Sequence, residues 1–181
     1  MPGTRPSWPV VACTGHRTFA DPTTPAWVRG MLHDAVIWLR DQRGMKTGIS
    51  GLALGVDTWW AQAVLDAGLD LWTFVPFGEQ PARWNKTQRA EWQRLRAAAA
   101  RDVVVDAIPD GVPTTRRGTV VNQLLHRRNR AMVHRADAVI AVWEPHRTSG
   151  GTYHAIQAAS GKPLIHINPT DRRVHQPLPG A

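Results

Sequence analysis

Short strand-like runs alternate with longer segments of helical periodicity along almost the whole chain. That alternation constrains the fold more than any other feature. Val10-Val11-Ala12-Cys13, Thr47-Gly48-Ile49-Ser50, Leu69 to Val75, Val103-Val104-Val105, Ala138 to Trp143 and Leu164-Ile165-His166-Ile167 read as six strands. Between them, Ala26 to Arg43 carries Trp27, Met31, Ala35, Trp38 and Leu39 at spacings of four and three, the mark of an amphipathic helix. Gly55 to Ala67, Pro81 to Ala100, Thr119 to His134 and Gly151 to Ser160 read as further helices, with a loop over Asp106 to Gly118. Gly68 stands where a helix stop is expected. Largely apolar strands separated by helices are buried on both faces, which predicts a parallel sheet covered on each side. The expectation is an α/β fold: one Rossmann-like, doubly wound sheet of about six strands over residues 10–168. Loosely ordered ends are expected at 1–9 and 169–181, where prolines gather.

In such sheets ligands bind beyond the carboxyl ends of the strands, so the residues that follow each strand are the candidates for a site. Thr14-Gly15-His16-Arg17 follows the first strand. Gly15 allows close passage of the backbone, and Arg17 offers charge to a phosphate. Ser50-Gly51-Leu52-Ala53-Leu54-Gly55-Val56-Asp57 follows the second and opens a helix. Its two glycines leave backbone N–H groups free for an anion at the positive helix end. Asp57, in the first helical turn, reads either as a ribose acceptor or as a residue that complements the helix dipole. Pro76-Phe77-Gly78-Glu79-Gln80 follows the third strand, with Trp84 beyond it. Phe77 or Trp84 is a candidate for base stacking, although the periodicity places Trp84 in the core. The fifth strand leads into Glu144-Pro145-His146-Arg147-Thr148-Ser149-Gly150-Gly151-Thr152, a second Gly-rich helix start. Two such starts on one sheet edge outline a pocket for a phosphate-bearing ligand.

Charge points the same way. The 181 residues hold 22 Lys plus Arg against 14 Asp plus Glu, a net charge of +8. The first ninety residues carry 9 basic and 7 acidic groups, and the remainder 13 and 7. No acid occurs between Gly111 and Ala136, where six arginines do, among them Arg128 and Arg130 flanking Asn129. A basic excess of this kind favours nucleotide or nucleic-acid partners, or is a solvated surface with no site in it.

Catalytic signals are sparse. The eight histidines show no metal-binding spacing, and the single Cys13 allows neither an intramolecular disulfide nor a multi-cysteine zinc site, so no metal is expected. Cys13 lies inside a strand run, as a small buried apolar residue does. Carboxylates able to do chemistry at the sheet edge reduce to Asp57, Glu79 and Glu144. No apolar run approaches the ~20 residues of a membrane span, and Met1 to Pro9 lacks a signal-peptide core, so a cytoplasmic protein with no membrane partner is expected.

These motifs, in this order, resemble the YpsA-like branch of the SLOG superfamily, Rossmann-like domains that recognise nucleotides and their derivatives. The resemblance rests on the segments quoted above together with Arg128-Asn129, Met132-Val133 and Ser149-Gly150-Gly151-Thr152, and covers residues 10–168. It implies ligand contacts by Gly15, His16, Arg17, Ser50, Gly51, Gly55, Asp57, Arg128, Asn129, Ser149, Gly150, Gly151 and Thr152. Two related families pull in different directions. Arg128-Asn129-Arg130 and Ser149-Gly150 are similar to elements of DNA-processing protein A, which binds single-stranded DNA. The lonely-guy phosphoribohydrolases carry a PGGxGTxxE loop, but here Thr152 is followed by Tyr153, His154, Ala155 and Ile156, without that catalytic glutamate. A similar hydrolysis therefore needs Glu79 or Glu144 as a substitute.

The expected function is a sensor or binding module for a nucleotide-type ligand such as an NAD or ADP-ribose derivative or a mononucleotide, with no cofactor required. Single-stranded DNA binding is the alternative, and N-glycoside hydrolysis of a nucleotide the third reading. By analogy with related folds, which often pair through helices, the Trp-rich helices are a candidate face for homo-oligomerisation.

Overall fold

A computed structural model describes residues 6–175. In chain order its elements are β1 (Val10–Gly15), α1 (Thr24–Arg43), β2 (Thr47–Ser50), α2 (Val56–Asp66), β3 (Asp70–Val75), α3 (Lys86–Ala97), β4 (Arg101–Val104), α4 (Thr114–Arg135), β5 (Ala138–Val142), α5 (Gly151–Ala158), β6 (Leu164–Asn168) and β7 (Arg173–His175). They form one seven-stranded sheet in the order β4-β3-β2-β1-β5-β6-β7. The first six strands are parallel, and β7 pairs antiparallel with β6, His166 standing opposite His175.

Strand alternation sorts the core into two layers. Val11, Cys13, Ile140, Val142, Ile165 and Ile167 point to one face, against Val28, Leu32, Val36 and Leu39 of α1, Trp60 and Val64 of α2, and Leu95 of α3. Ala12, Ile49 and Phe74 point to the other, against Met132 of α4. Val139, Ala141 and Leu164 extend that second layer against Val133 and Ala159. The chain therefore winds outward from β1 to β4 with α1, α2 and α3 on one side. It crosses back through α4 and winds the opposite way with α4 and α5 on the other. The reversal falls between β1 and β5, where neighbouring crossovers leave on opposite faces and a crevice opens.

The expected doubly wound sheet is present, with one strand more than anticipated. Arg173-Val174-His175 lies within the stretch expected to be loosely ordered, and it has too little apolar character to announce a strand. Its single pairing with β6 creates it. Trp8, in the other expected loose end, is buried, with the Arg43 guanidinium 4.3 Å above its ring. The rest of those ends, residues 1–5 and 176–181, lies outside the described residues.

Two helix starts also differ from the sequence reading. α4 begins at Thr114, inside the expected loop, because Pro113 has a φ of −58° that suits a helix entry. α3 begins only at Lys86, where Asn85 and Gln88 exchange side-chain to backbone hydrogen bonds in a capping box.

Candidate functional site at the β1–β5 reversal

The loop after β2 is built around Asp57. Ser50 Oγ donates to the Asp57 carbonyl at 2.7 Å and accepts from the Leu52 amide at 3.1 Å. Leu52 is held at φ +50°, an uncommon value for a side chain of its size. Asp57 Oδ2 accepts from the Ala53 amide and from Arg128 Nη1, both at 3.3 Å. Arg128 reaches this carboxylate from α4, so one buried ion pair ties the two faces of the sheet together across its carboxyl edge. Removal from water pushes the Asp57 carboxyl above its ordinary range, and the Arg128 guanidinium opposes that rise. Arg128 Nε is buried with no hydrogen-bond partner.

Two glycines in this loop are required by contact. A Cβ on Gly51 would stand 1.4 Å from Arg128 Nη1. Gly55 has φ +84°, and a Cβ there would stand 2.6 Å from the Arg17 carbonyl oxygen.

Facing this loop, His16 leaves the end of β1. Its Nε2 accepts from the Glu144 amide at 3.1 Å, which puts the ring proton on Nδ1. Burial, then the neighbouring charges of Arg147 and His146, lowers its pKa to about 4, so the ring is neutral at pH 7. The 3.9 Å approach of Glu144 to this ring is consequently no ion pair at neutral pH. Glu144 instead pairs with Arg147 Nε at 2.7 Å. On the far side, Asn129 Nδ2 donates to the Gly151 carbonyl at 3.0 Å and fixes α4 to the start of α5.

These parts enclose a cavity of about 410 Å³. Of the residues singled out from the sequence, Gly15, His16, Arg17, Asp57, Arg128, Asn129, Gly151 and Thr152 line it. Ser50, Gly51 and Gly55 stand behind, shaping the wall. Ser149 and Gly150 are exposed and outside the lining, as is Glu79. Glu144 is nearly buried and outside the lining, in contact with two residues that belong to it, His16 and Arg147. Phe77 is buried and Trp84 half-buried against the core, so neither offers a face for stacking. Cys13 is fully buried, and burial raises its thiol pKa well above the ordinary value.

Asn122, Leu125 and Thr18 also line the cavity, and no motif marks them in the sequence. Asn122, Leu125 and Arg128-Asn129 recur every three to four residues, so the helical period starting from Arg128 would have found the first two. Chemically, the cavity offers three arginines, two helix N-termini and one carboxylate already engaged by Arg128, a set suited to an anion. Among the described residues no cluster of three or more metal-ligating side chains occurs, and no helix is long and apolar enough to cross a membrane.

A parallel sheet that reverses at β1, with this crevice at its carboxyl edge, defines the class as a Rossmann-like α/β fold. Solved structures share it. The structure of DNA processing protein A from Streptococcus pneumoniae matches with a TM-score of 0.60 at 16% identity, over 88% of this chain and 50% of that one. DNA processing protein A from Helicobacter pylori, described for its single-stranded DNA binding mode, matches at 0.58 and 17%, over 91% and 71%. A molybdenum cofactor binding protein from Rippkaea orientalis matches at 0.50 and 18%, over 88% and 76%. The chain thus spans half the length of the first of these. At such identities the likeness is one of fold. No family profile and no curated protein matches the chain.

Proposed function

We propose that the chain is a binding module for a nucleotide or nucleotide-derived ligand, of the NAD, ADP-ribose or mononucleotide type, as in the YpsA-like branch of this fold class. The observation that carries the reading is Arg128, a buried guanidinium at the cavity wall with its Nε unpartnered. A buried donor without a partner costs on the order of 1–3 kcal/mol, and an anionic ligand would recover it. Arg17 and Arg147 add charge nearer the mouth, and the first amides of α5 stand beside Thr152. Asp57 is the ribose-facing carboxylate. The carboxylates suggested for hydrolysis give little support to an enzyme, since Glu79 is exposed away from the cavity and Glu144 is committed to Arg147. Thermal denaturation of the full chain with AMP, ADP-ribose and NAD tests the reading. At least one should raise the melting temperature by several degrees at millimolar concentration, and a flat response to all three contradicts it.

Single-stranded nucleic acid is the second reading. α4 exposes Arg116, Arg117 and Arg130 in a segment without acids, and the Helicobacter protein of the same fold binds single-stranded DNA. Against it, none of the nine tryptophans is exposed: three are buried and six half-buried, leaving few platforms for stacked bases.

A further inference from the structure

We propose that His16 is a positioning residue for anion capture: its neutral imidazole pins the loop after β5 and thereby holds Arg147 at the cavity. The proposal rests on the nucleotide-binding reading for its consequence, but its geometry stands on its own.

The loop from Trp143 to Arg147 is a tight turn that starts beside β6, where the Trp143 amide donates to the Ile167 carbonyl at 3.1 Å and the Trp143 carbonyl lies 2.7 Å from His166 Nε2. The Arg147 amide donates to the Glu144 carbonyl at 2.9 Å, which closes the turn. The Trp143 indole Nε1 donates to the Arg147 carbonyl at 2.8 Å, which fixes its far end. A further tie crosses the β1–β5 reversal, where the Glu144 amide donates to His16 Nε2 at 3.1 Å. Past Trp143, this bond joins the turn to the residue that follows β1.

A hydrogen bond in that direction requires an unprotonated Nε2, so the anchor exists only in the Nδ1–H tautomer of the neutral ring. A protonated His16 would present a donor to a donor, and the anchor would be lost. Burial and the adjacent Arg147 both hold the ring neutral. The imidazole thus supplies no charge to a ligand. It supplies an acceptor that fixes where Arg147 stands.

The turn also sets the charge that Arg147 presents. Glu144 is 13% exposed, and its carboxylate, 2.7 Å from Arg147 Nε, holds the guanidinium at the cavity rim. With His16 neutral and Glu144 paired, the positive charge of Arg147 is partly offset until an anion enters. An incoming phosphate then competes with Glu144 for the guanidinium without any movement of the backbone, provided His16 keeps the turn in place.

Two measurements test this. Nitrogen-detected NMR of His16 in the free protein at pH 7 should show Nε2 unprotonated and Nδ1 protonated, with the Glu144 amide protected from exchange. An Nε2–H tautomer, or an unprotected Glu144 amide, overturns the proposal whatever the ligand. The second measurement titrates AMP into variants whose circular dichroism matches the native chain. His16→Ala and Arg147→Ala should each weaken binding about tenfold, the double variant should be no weaker than Arg147→Ala alone, and His16→Gln, which offers an amide oxygen near the Nε2 position, should recover most of the affinity. Unchanged affinity in His16→Ala, or fully additive losses in the double variant, overturns the positioning role. If the native chain binds no AMP, that result counts against the nucleotide reading, and the NMR result decides the role of His16 by itself.

Discussion

Arg128 and Gly51 are in contact because one lacks a side chain: the guanidinium of Arg128 occupies the space where a Cβ on residue 51 would stand, 1.4 Å from Nη1. This places the cation beside Asp57 and against the backbone after β2, at the wall of the cavity. The glycine of the Ser50-Gly51 turn thus serves the arginine as much as any ligand.

Gly51→Ala should accordingly destabilise the chain by about 2 kcal/mol or more, since the buried guanidinium must leave its carboxylate. Gly118 is the matched control. It lies within α4, and a Cβ there would meet nothing within 4 Å. Gly118→Ala should stabilise by roughly 0.5–1 kcal/mol through helix propensity. Urea midpoints of the two variants, moving in opposite directions, check both.

The ion pair itself should behave non-additively. Arg128→Leu leaves Asp57 buried beside an apolar group and should cost about 3–5 kcal/mol. Adding Asp57→Asn removes that stranded charge while leaving an oxygen for the Ala53 amide. The double variant should therefore be more stable than Arg128→Leu alone, as read from a double-mutant cycle in chemical denaturation.

His16 makes stability depend on pH. Its folded pKa of about 4 lies below the ordinary 6.5, so the unfolded chain binds this proton more readily than the folded one. Its contribution is fully present above pH 6.5 and is lost as pH falls from about 6.5 to about 4, with no further change below. The ring borders an open cavity, so the loss is on the order of 2 kcal/mol, less than the full shift converts to. Denaturation midpoints of native and His16→Gln chains, compared between pH 7 and 4, should diverge over this interval, the variant being the less sensitive.

Much of the fold and part of the site were legible in the sequence, for separable reasons. Runs such as Ala138 to Val142 are apolar on both faces, so the strand shows itself without any knowledge of partners. Arg173-Val174-His175 does not, because it is a strand only by pairing with β6. Pro113 read as loop and proved to be a helix entry. The glycine turns were legible because strand-to-helix turns at a sheet edge have few residue solutions. Glu79 and Glu144 looked equivalent, each following a strand, yet one is exposed and the other nearly buried against Arg147. That difference depends on the path of each loop through space. So does the bond between His16 and Glu144, 128 residues apart in the chain.

Oligonucleotide binding separates the two functional readings. If the basic surface of α4 gives only non-specific attraction, oligothymidine affinity should fall with a slope of about −0.7 per phosphate contact in log–log salt plots and be lost near 0.2 M salt. Fluorescence anisotropy at several salt concentrations measures this. Tight binding that persists at 0.2 M would favour the nucleic-acid reading instead.

A crystal structure of the full chain with millimolar ADP-ribose decides whether the cavity between β1 and β5 takes a phosphate-bearing nucleotide. A phosphate should lie within hydrogen-bond distance of Arg128 and of the Gly151-Thr152 helix start, with Gly51 still packed against the guanidinium. A nucleotide bound elsewhere on the chain, with Arg128 Nε still unpartnered, would contradict that placement.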